Sequence, residues 1–384
     1  MAQVDDTITI IFADHGNTYT HFTHAVMEGR FEQYHPMMFM ILPEAVKNKL
    51  GNEILSNLRG NQLKLFTLLD VREALVTIPT INNDRGRPEP KGLFGQLPEK
   101  RTCDNLDLRL PNLCVCEGWD AEVNNNTDQF GLLHFAIGQL NNQIQGYQTK
   151  IRTEGKAPRC KMLTPTSFYN VRERNKGDKL ITSFDFMTIP GAGSANHHEV
   201  FHVEVESEIN RELDSRNMKL LNFDRISKYG PYRACADKDI DARLCVCDMT
   251  QTKQGRHFQE ERIQDLIARE IGTEYPRLSE TVDVSIVKNS RISHCLYLRK
   301  IAYPEVTSES KTSLYSITYE VANACSVQLR VHLKITADNM KTSTAGPYDV
   351  TVEPYSIKYL LTAIRDTPYW DSQITSENLD GQRA

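Results

Sequence analysis

The sequence predicts an α/β segment followed by two α+β repeats, each a helix plus an antiparallel meander, with bounds of 1–98, 99–225 and 226–384. Three observations lead there. The opening run TITIIFA (7–13) is a strand that stops at Asp14-His15-Gly16. A spacing of cysteines, Cys103, Cys114 and Cys116, recurs as Cys235, Cys245 and Cys247. After each copy the apolar period changes from that of a helix to that of a strand.

The elements follow in order. Strand 7–13 is apolar at nearly every position, as expected of a strand buried on both faces between parallel neighbours. Those neighbours are expected upstream; in this chain a strand around Met37–Leu42 is expected to pair with it and a helix around Leu65–Ile78 to cover one face, leaving the other bare. In the first repeat Leu133, Ile137, Leu140, Ile144, Tyr147 and Ile151 step by four and three, one face of a helix. In the second, Ile263, Leu266, Ile267 and Ile271 do so, with Gly272 as a stop. Period-two segments follow each helix. They are Leu180/Phe184/Phe186 and Phe201/Val203/Val205 in the first repeat. In the second they are Tyr315/Ile317/Tyr319/Val321 and Val327/Leu329/Val331/Leu333/Ile335. Each meander would bury its apolar face under the repeat's helix.

At 384 residues the chain is long enough for two or three domains. Its 40% hydrophobic and 25% charged content is that of a folded globular protein. A net charge of −5 gives no reason to expect nucleic acid or an anionic membrane as partner. The local basic stretch Lys150–Lys161 reads as a solvated face. No apolar run is long enough for a transmembrane helix. The first residues, with Asp5 and Asp6 and no basic segment, do not form a signal peptide.

The cysteines speak about compartment. Of nine, four fall in each repeat: Cys103, Cys114, Cys116 and Cys160, then Cys235, Cys245, Cys247 and Cys295, leaving Cys325 over. Structural zinc sites space paired cysteines as C-x₂₋₄-C, and Cys-Val-Cys is tighter. Four cysteines per repeat fit two disulfides within each, with connectivity open among three arrangements. Disulfides persist in oxidising compartments, so the expectation is an extracellular or secretory protein whose signal sequence lies upstream of Met1. Asn125-Asn126-Thr127 is a glycosylation sequon that agrees with it.

The stretch HEVFH (198–202) matches the H-E-x-x-H zinc motif formally. That chemistry needs both histidines on one helix face. Gly191 and Gly193 precede it and EVFHVEVE alternates, so it reads as a strand, with the two histidines roughly 13 Å apart.

At the chain's start, an Asp and a His closing a buried strand pair a hard oxygen with a borderline nitrogen, a combination that suits zinc, or calcium if further carboxylates join. The residues alone leave open the alternative of a strand-end Asp and a hydrogen-bonded His.

In order, DDTITIIFADHGN, EGRFEQYHPMMFMILP and NLRGNQLKLFTLLDVREALVTI resemble motifs of the alkaline phosphatase and sulfatase superfamily. GLFGQLPEKRTC…LCVC narrows the likeness to its secreted animal branch catalogued as domain of unknown function 229. The resemblance implies that residues 1–98 are the C-terminal part of a sulfatase/phosphatase-like domain. It makes Asp14 and His15 ligands of a divalent metal, zinc or calcium, in the full-length parent, weak or lost in this chain. Arg30 is a candidate to face the anionic group of a phosphate or sulfate ester substrate, with a surface Arg as the alternative. The nucleophile would lie upstream, so no catalytic residue is assigned here. His35 before Pro36 and Arg72 after Asp70-Val71 depart from the family pattern. The second reading of function is a non-catalytic, secreted, disulfide-stapled binding or structural module.

Overall fold

The computed structural model describes residues 6–383 except 19, 21, 24–25, 81–88, 104–105, 107–113, 116–119, 124–128, 157, 248, 250–282, 289–294, 306–312 and 368–369. The chain divides into two compact units, 1–118 and 119–384.

In the first unit, β1 (Thr9–Phe12) is followed by α1 (Met27–Tyr34), β2 (Met38–Ile41), α2 (Glu44–Asn61) and α3 (Leu68–Thr77). β1 pairs antiparallel with β2, with Ile11 opposite Phe39 and Thr9 opposite Ile41. One face of this ribbon contributes Met38 and Met40 to a core of Val46, Leu50, Ile54, Val71, Ala74, Leu93 and Phe94. Ile11, Phe39 and Ile41 lie on the other face, about half exposed at 49%, 58% and 51%. The strand expected around Met37–Leu42 is β2, and the ribbon has one covered and one bare face, as expected of this segment without the parallel neighbours that its apolar run suits. Among the described residues β1 has one neighbour, antiparallel, and one covered face.

Local chemistry sets the helices. α2 breaks at Gly51, whose φ of 82° lies in the left-handed region that glycine tolerates. α3 opens with a capping box between Thr67 and Asp70, and Arg101 pairs with Asp70 at 2.9 Å. The buried Asn61 side chain donates to the carbonyls of Leu93 and Gly95 and accepts from the Leu97 N–H, fixing the turn that delivers Phe94 to the core.

Among the described residues the second unit comprises a ten-stranded sheet, a three-stranded sheet and one long helix. The strands are β3 (Ala121–Glu122), β4 (Pro165–Lys176), β5 (Lys179–Thr188), β6 (Glu199–Asn210), β7 (Ser215–Arg225), β8 (Asp283–Lys288), β9 (Leu296–Glu305), β10 (Ser313–Asn323), β11 (Leu329–Asp338), β12 (Met340–Thr342), β13 (Tyr348–Val352), β14 (Ser356–Arg365) and β15 (Gln373–Arg383). The large sheet runs β3-β4-β5-β6-β7-β12-β14-β10-β9-β8; the small one runs β13-β11-β15. All pairings are antiparallel except the short contact of β12 with β7 at Thr342 and Ser215.

The helix is α4 (Phe130–Thr153). Its stripe of Leu133, Ile137, Leu140 and Ile144 is fully buried, against Phe184, Phe186, Phe201, Val203 and Val205 of the large sheet. Gly131 and Gly138 let the helix come down on β14: a Cβ at Gly138 would lie 2.2 Å from the Tyr359 ring. A bulge between Tyr359 and Leu361 turns Leu361 and Ala363 to the face opposite Tyr359 and Ile364. There they join Leu329, Val331, Leu333 and Val352 of the small sheet.

The strands assigned to the two repeats, β11 excepted, thus belong to one sheet. β4–β7 and β8–β10 are each consecutive antiparallel meanders, whereas β11, expected to continue the second, belongs to the small sheet. The helix expected at 263–271 lies outside the described residues.

The disulfides keep the expected within-repeat framework at two links and depart from it at two. Cys103 pairs with Cys114 and Cys235 with Cys247. Cys160 crosses to Cys245, tying a first-repeat cysteine to a second-repeat one. Cys295 pairs with Cys325, the residue left over in the sequence count. Cys116 lies outside the described residues.

Candidate metal corner

Asp14 and His15 leave the end of β1 in a bend whose backbone is anchored at three points. Ala13 N–H donates to the Met37 carbonyl at 3.3 Å, Gly16 N–H to the Gln33 carbonyl at 2.8 Å, and His15 N–H to Asp14 Oδ1 at 3.0 Å. Gly16 is where the bend meets α1. A Cβ there would sit 1.9 Å from the Glu32 carbonyl oxygen, a backbone atom with no room to yield. Gly29 allows a second close approach, of α1 to the 22–23 segment, where a Cβ would lie 2.4 Å from the Phe22 carbonyl oxygen. Two glycines therefore let α1 pack closely on the Asp-His bend and on the 22–23 segment.

The side chains are open to solvent, at 80% for Asp14 and 55% for His15. His15 Nδ1 lies 2.6 Å from the Gly16 carbonyl. A carbonyl can only accept, so Nδ1 carries the hydrogen, and in the neutral imidazole the lone pair is on Nε2. Nε2 lies 3.6 Å from Asp14 Oδ2. A backbone carbonyl holding the far ring nitrogen is the usual support of a metal-ligating His. Two donors at about 2.0 and 2.1 Å from a tetrahedral zinc stand about 3.3 Å apart. This donor pair fits a divalent ion, supplying one carboxylate oxygen and one imidazole nitrogen.

Arg30 lies in α1, three residues before the Gln33 carbonyl that receives Gly16. It is 5% exposed, which excludes the surface-Arg alternative. His35 stacks on Phe31 with ring centroids 5.6 Å apart, and its Nε2 meets the Val115 carbonyl at 2.6 Å. The departure from the family pattern at this position thus anchors α1 to the stretch beside the Cys103–Cys114 disulfide. Arg72 makes only a surface pair with Glu73. Asn125 lies outside the described residues. Among the described residues there is no cluster of three or more His, Cys, Asp or Glu able to hold a metal.

In the second unit HEVFH enters β6, and its histidines do not converge on an ion. His202 Nδ1 bonds Asp185 Oδ1 at 2.9 Å on the neighbouring strand, and Asn170 Nδ2 holds the other carboxylate oxygen at 2.9 Å. Glu199 is fully buried. It accepts from Arg225 Nη2 at 2.5 Å, Ser227 Oγ at 2.6 Å, Tyr232 OH at 2.5 Å and Asn196 Nδ2 at 3.1 Å. Burial pushes its carboxyl up, but Arg225, Ser227 and Tyr232 outweigh that and hold it below the usual carboxylate range. Tyr232 is raised by burial and by Glu199. Beneath α4, burial and then Arg299 lower the pKa of His134 to about 3, so its ring is neutral where it meets the Tyr303 hydroxyl.

Sequence reasoning missed the close backbone approaches at Gly16 and Gly29. The glycine after Asp-His and the Gly-Arg of EGRFEQ were the available signals, but neither says which backbone the glycine meets.

Residues 1–167 match the model of a family described as protein of unknown function DUF229. No curated protein and no solved structure matches the chain.

Proposed function

We propose that this is an extracellular protein whose first unit carries the metal-binding corner of a sulfatase- or alkaline phosphatase-like hydrolase and whose second unit is a disulfide-stapled β module. The observation that carries the reading is the donor pair at the end of β1. A carbonyl-held imidazole presents Nε2, 3.6 Å from a carboxylate oxygen, on a bend that glycine packing fixes. The family match over residues 1–167 supports the ancestry of this segment. Four disulfides support the compartment.

A divalent ion held by Asp14 and His15 would polarise the oxygen of a phosphate or sulfate ester. The chain's own part is to orient: the Gly16 carbonyl sets the His15 ring, and α1 backs the bend. Two protein donors are fewer than the three of a typical catalytic zinc. Affinity is therefore expected to be weak and turnover by this chain slight. That count favours, as the second reading, a non-catalytic binding or structural module.

Equilibrium dialysis of the purified chain with zinc and with calcium tests the proposal, alongside assays on aryl phosphate and aryl sulfate esters. One bound ion per chain, lost in both Asp14→Ala and His15→Ala, supports the metal corner. Binding that both substitutions leave intact overturns it. Robust turnover lost in Asp14→Ala would overturn the second reading.

A further inference from the structure

The basic stretch Lys150–Lys161 reads as a solvated face in sequence, but folding adds to it. The segment that leaves α4 is bound to residues 235–247. The backbone N–H groups of Arg159 and Cys160 donate to the buried Asp237 carboxylate at 2.9–3.0 Å, and Arg159 Nη2 donates to the Ala236 carbonyl at 2.9 Å. Lys161 N–H bonds the Val246 carbonyl at 2.8 Å, and the Cys160–Cys245 and Cys235–Cys247 disulfides lock both segments. Lys238 follows Asp237, and Arg233 lies in the 3₁₀ turn that leads into Cys235. Lys150, Lys156, Arg159, Lys161, Arg233 and Lys238 are all exposed. Two acidic side chains share the surface: Glu154, paired with Lys156 at 2.8 Å, and Asp239. The Asp237 carboxylate is turned inward, accepting from the backbone N–H groups of Arg159 and Cys160 and pairing with Arg159 Nε at 3.7 Å.

We infer that this disulfide-locked cationic surface binds a sulfated polysaccharide. A chain of net charge −5 has no general attraction for polyanions, so the exposed cations carried by these two linked segments, of which Lys156 pairs with Glu154 and Arg159 with Asp237, are a local device. Its rigidity matters because cations held on a locked backbone lose little entropy on engaging a repeating anion. The disulfides place it in a compartment where sulfated polysaccharides, rather than nucleic acids, are the polyanions at hand.

The test uses the whole oxidised chain and three probes: heparin, duplex DNA, and phosphatidylserine vesicles. The wild type is expected to bind heparin at about 0.15 M salt and to prefer it to the other two. Combined Lys156→Glu, Lys161→Glu and Lys238→Glu should weaken heparin binding at least tenfold. It should also flatten the slope of log affinity against log salt by roughly two to three, about 0.7–0.9 per lost contact. A control triple on other exposed lysines, Lys176→Glu, Lys219→Glu and Lys334→Glu, should change little. On the wild type, heparin should protect Lys156, Lys161 and Lys238 from acetylation and leave those three control lysines reactive, a readout independent of variant folding. Equal loss in both triples, equal protection of both sets, or equal affinity for DNA or vesicles overturns the proposal.

Discussion

Substituting Arg225 by Met should strike the second unit harder than any change of similar size on its surface. The guanidinium is fully buried; it donates to Glu199 at 2.5 Å and to the Cys245 carbonyl at 2.7 Å, and it stacks 4.5 Å from the Tyr232 ring centroid. Methionine keeps much of the volume but leaves a buried carboxylate without its cation, a loss of about 3–5 kcal/mol. At about 2–4 °C per kcal/mol for a unit of this size, the melting temperature should fall by roughly 6–20 °C. The pH dependence identifies the cause. In the wild type the Glu199 pKa is held below its unfolded value, so its contribution is present above the unfolded pKa and lost as pH falls through the folded one. In the variant the carboxyl is raised instead, and its folded form is favoured by protonation. The gap between the two proteins should therefore be widest near neutral pH and narrow below about pH 4. Denaturant titration of the oxidised chain at several pH values measures it, and Glu199→Gln with Arg225→Met should recover part of the loss. A deficit under 1 kcal/mol, or one that does not change with pH, would refute the reasoning.

Gly16→Ala should destabilise the first unit and abolish metal binding, because the new methyl meets the Glu32 backbone; thermal melting and dialysis check both. Non-reducing peptide mapping should recover Cys160–Cys245 and Cys235–Cys247 as separate links. The double change Cys160→Ala, Cys245→Ala, opening a separation of 85 residues, should cost about 4 kcal/mol. The pKa of His134, about 3 in the fold, lies below its unfolded value of 6.5, so its contribution is complete above pH 6.5 and declines as pH falls from there toward 3. The decline should approach about 1.4 kcal/mol per pH unit from this group and vanish in His134→Gln, as read by denaturation across that range.

Much of the second unit was legible because period alone fixes which residues face inward. Leu133, Ile137, Leu140 and Ile144, and then Phe201, Val203 and Val205, are buried on the faces expected. Pairing partners were not legible. Nothing local to Val331 or Leu333 says that their strand leaves the large sheet, and cysteine spacing cannot tell a link within a repeat from one between repeats. The apolar run of β1 suits two covered faces, and Ile11 is half exposed as expected where β2 is the neighbour and one face is bare, because apolarity records what a strand tolerates and not what covers it. At the metal corner Asp14 and His15 stood out as adjacent donors. The packing that fixes them, Gly16 on the Glu32–Gln33 backbone, joins segments whose contact no motif announces. Arg30 read as well for a surface as for a site, since a charged residue in a short helix gives no sign of burial.

X-ray absorption at the zinc edge of the zinc-loaded chain tests the metal corner most directly. One imidazole nitrogen and oxygen donors are expected in the first shell, with the outer-shell scattering of a histidine ring that disappears in His15→Ala. A spectrum with no imidazole signature, or one unchanged by that substitution, would contradict the assignment of Asp14 and His15 as the ligands.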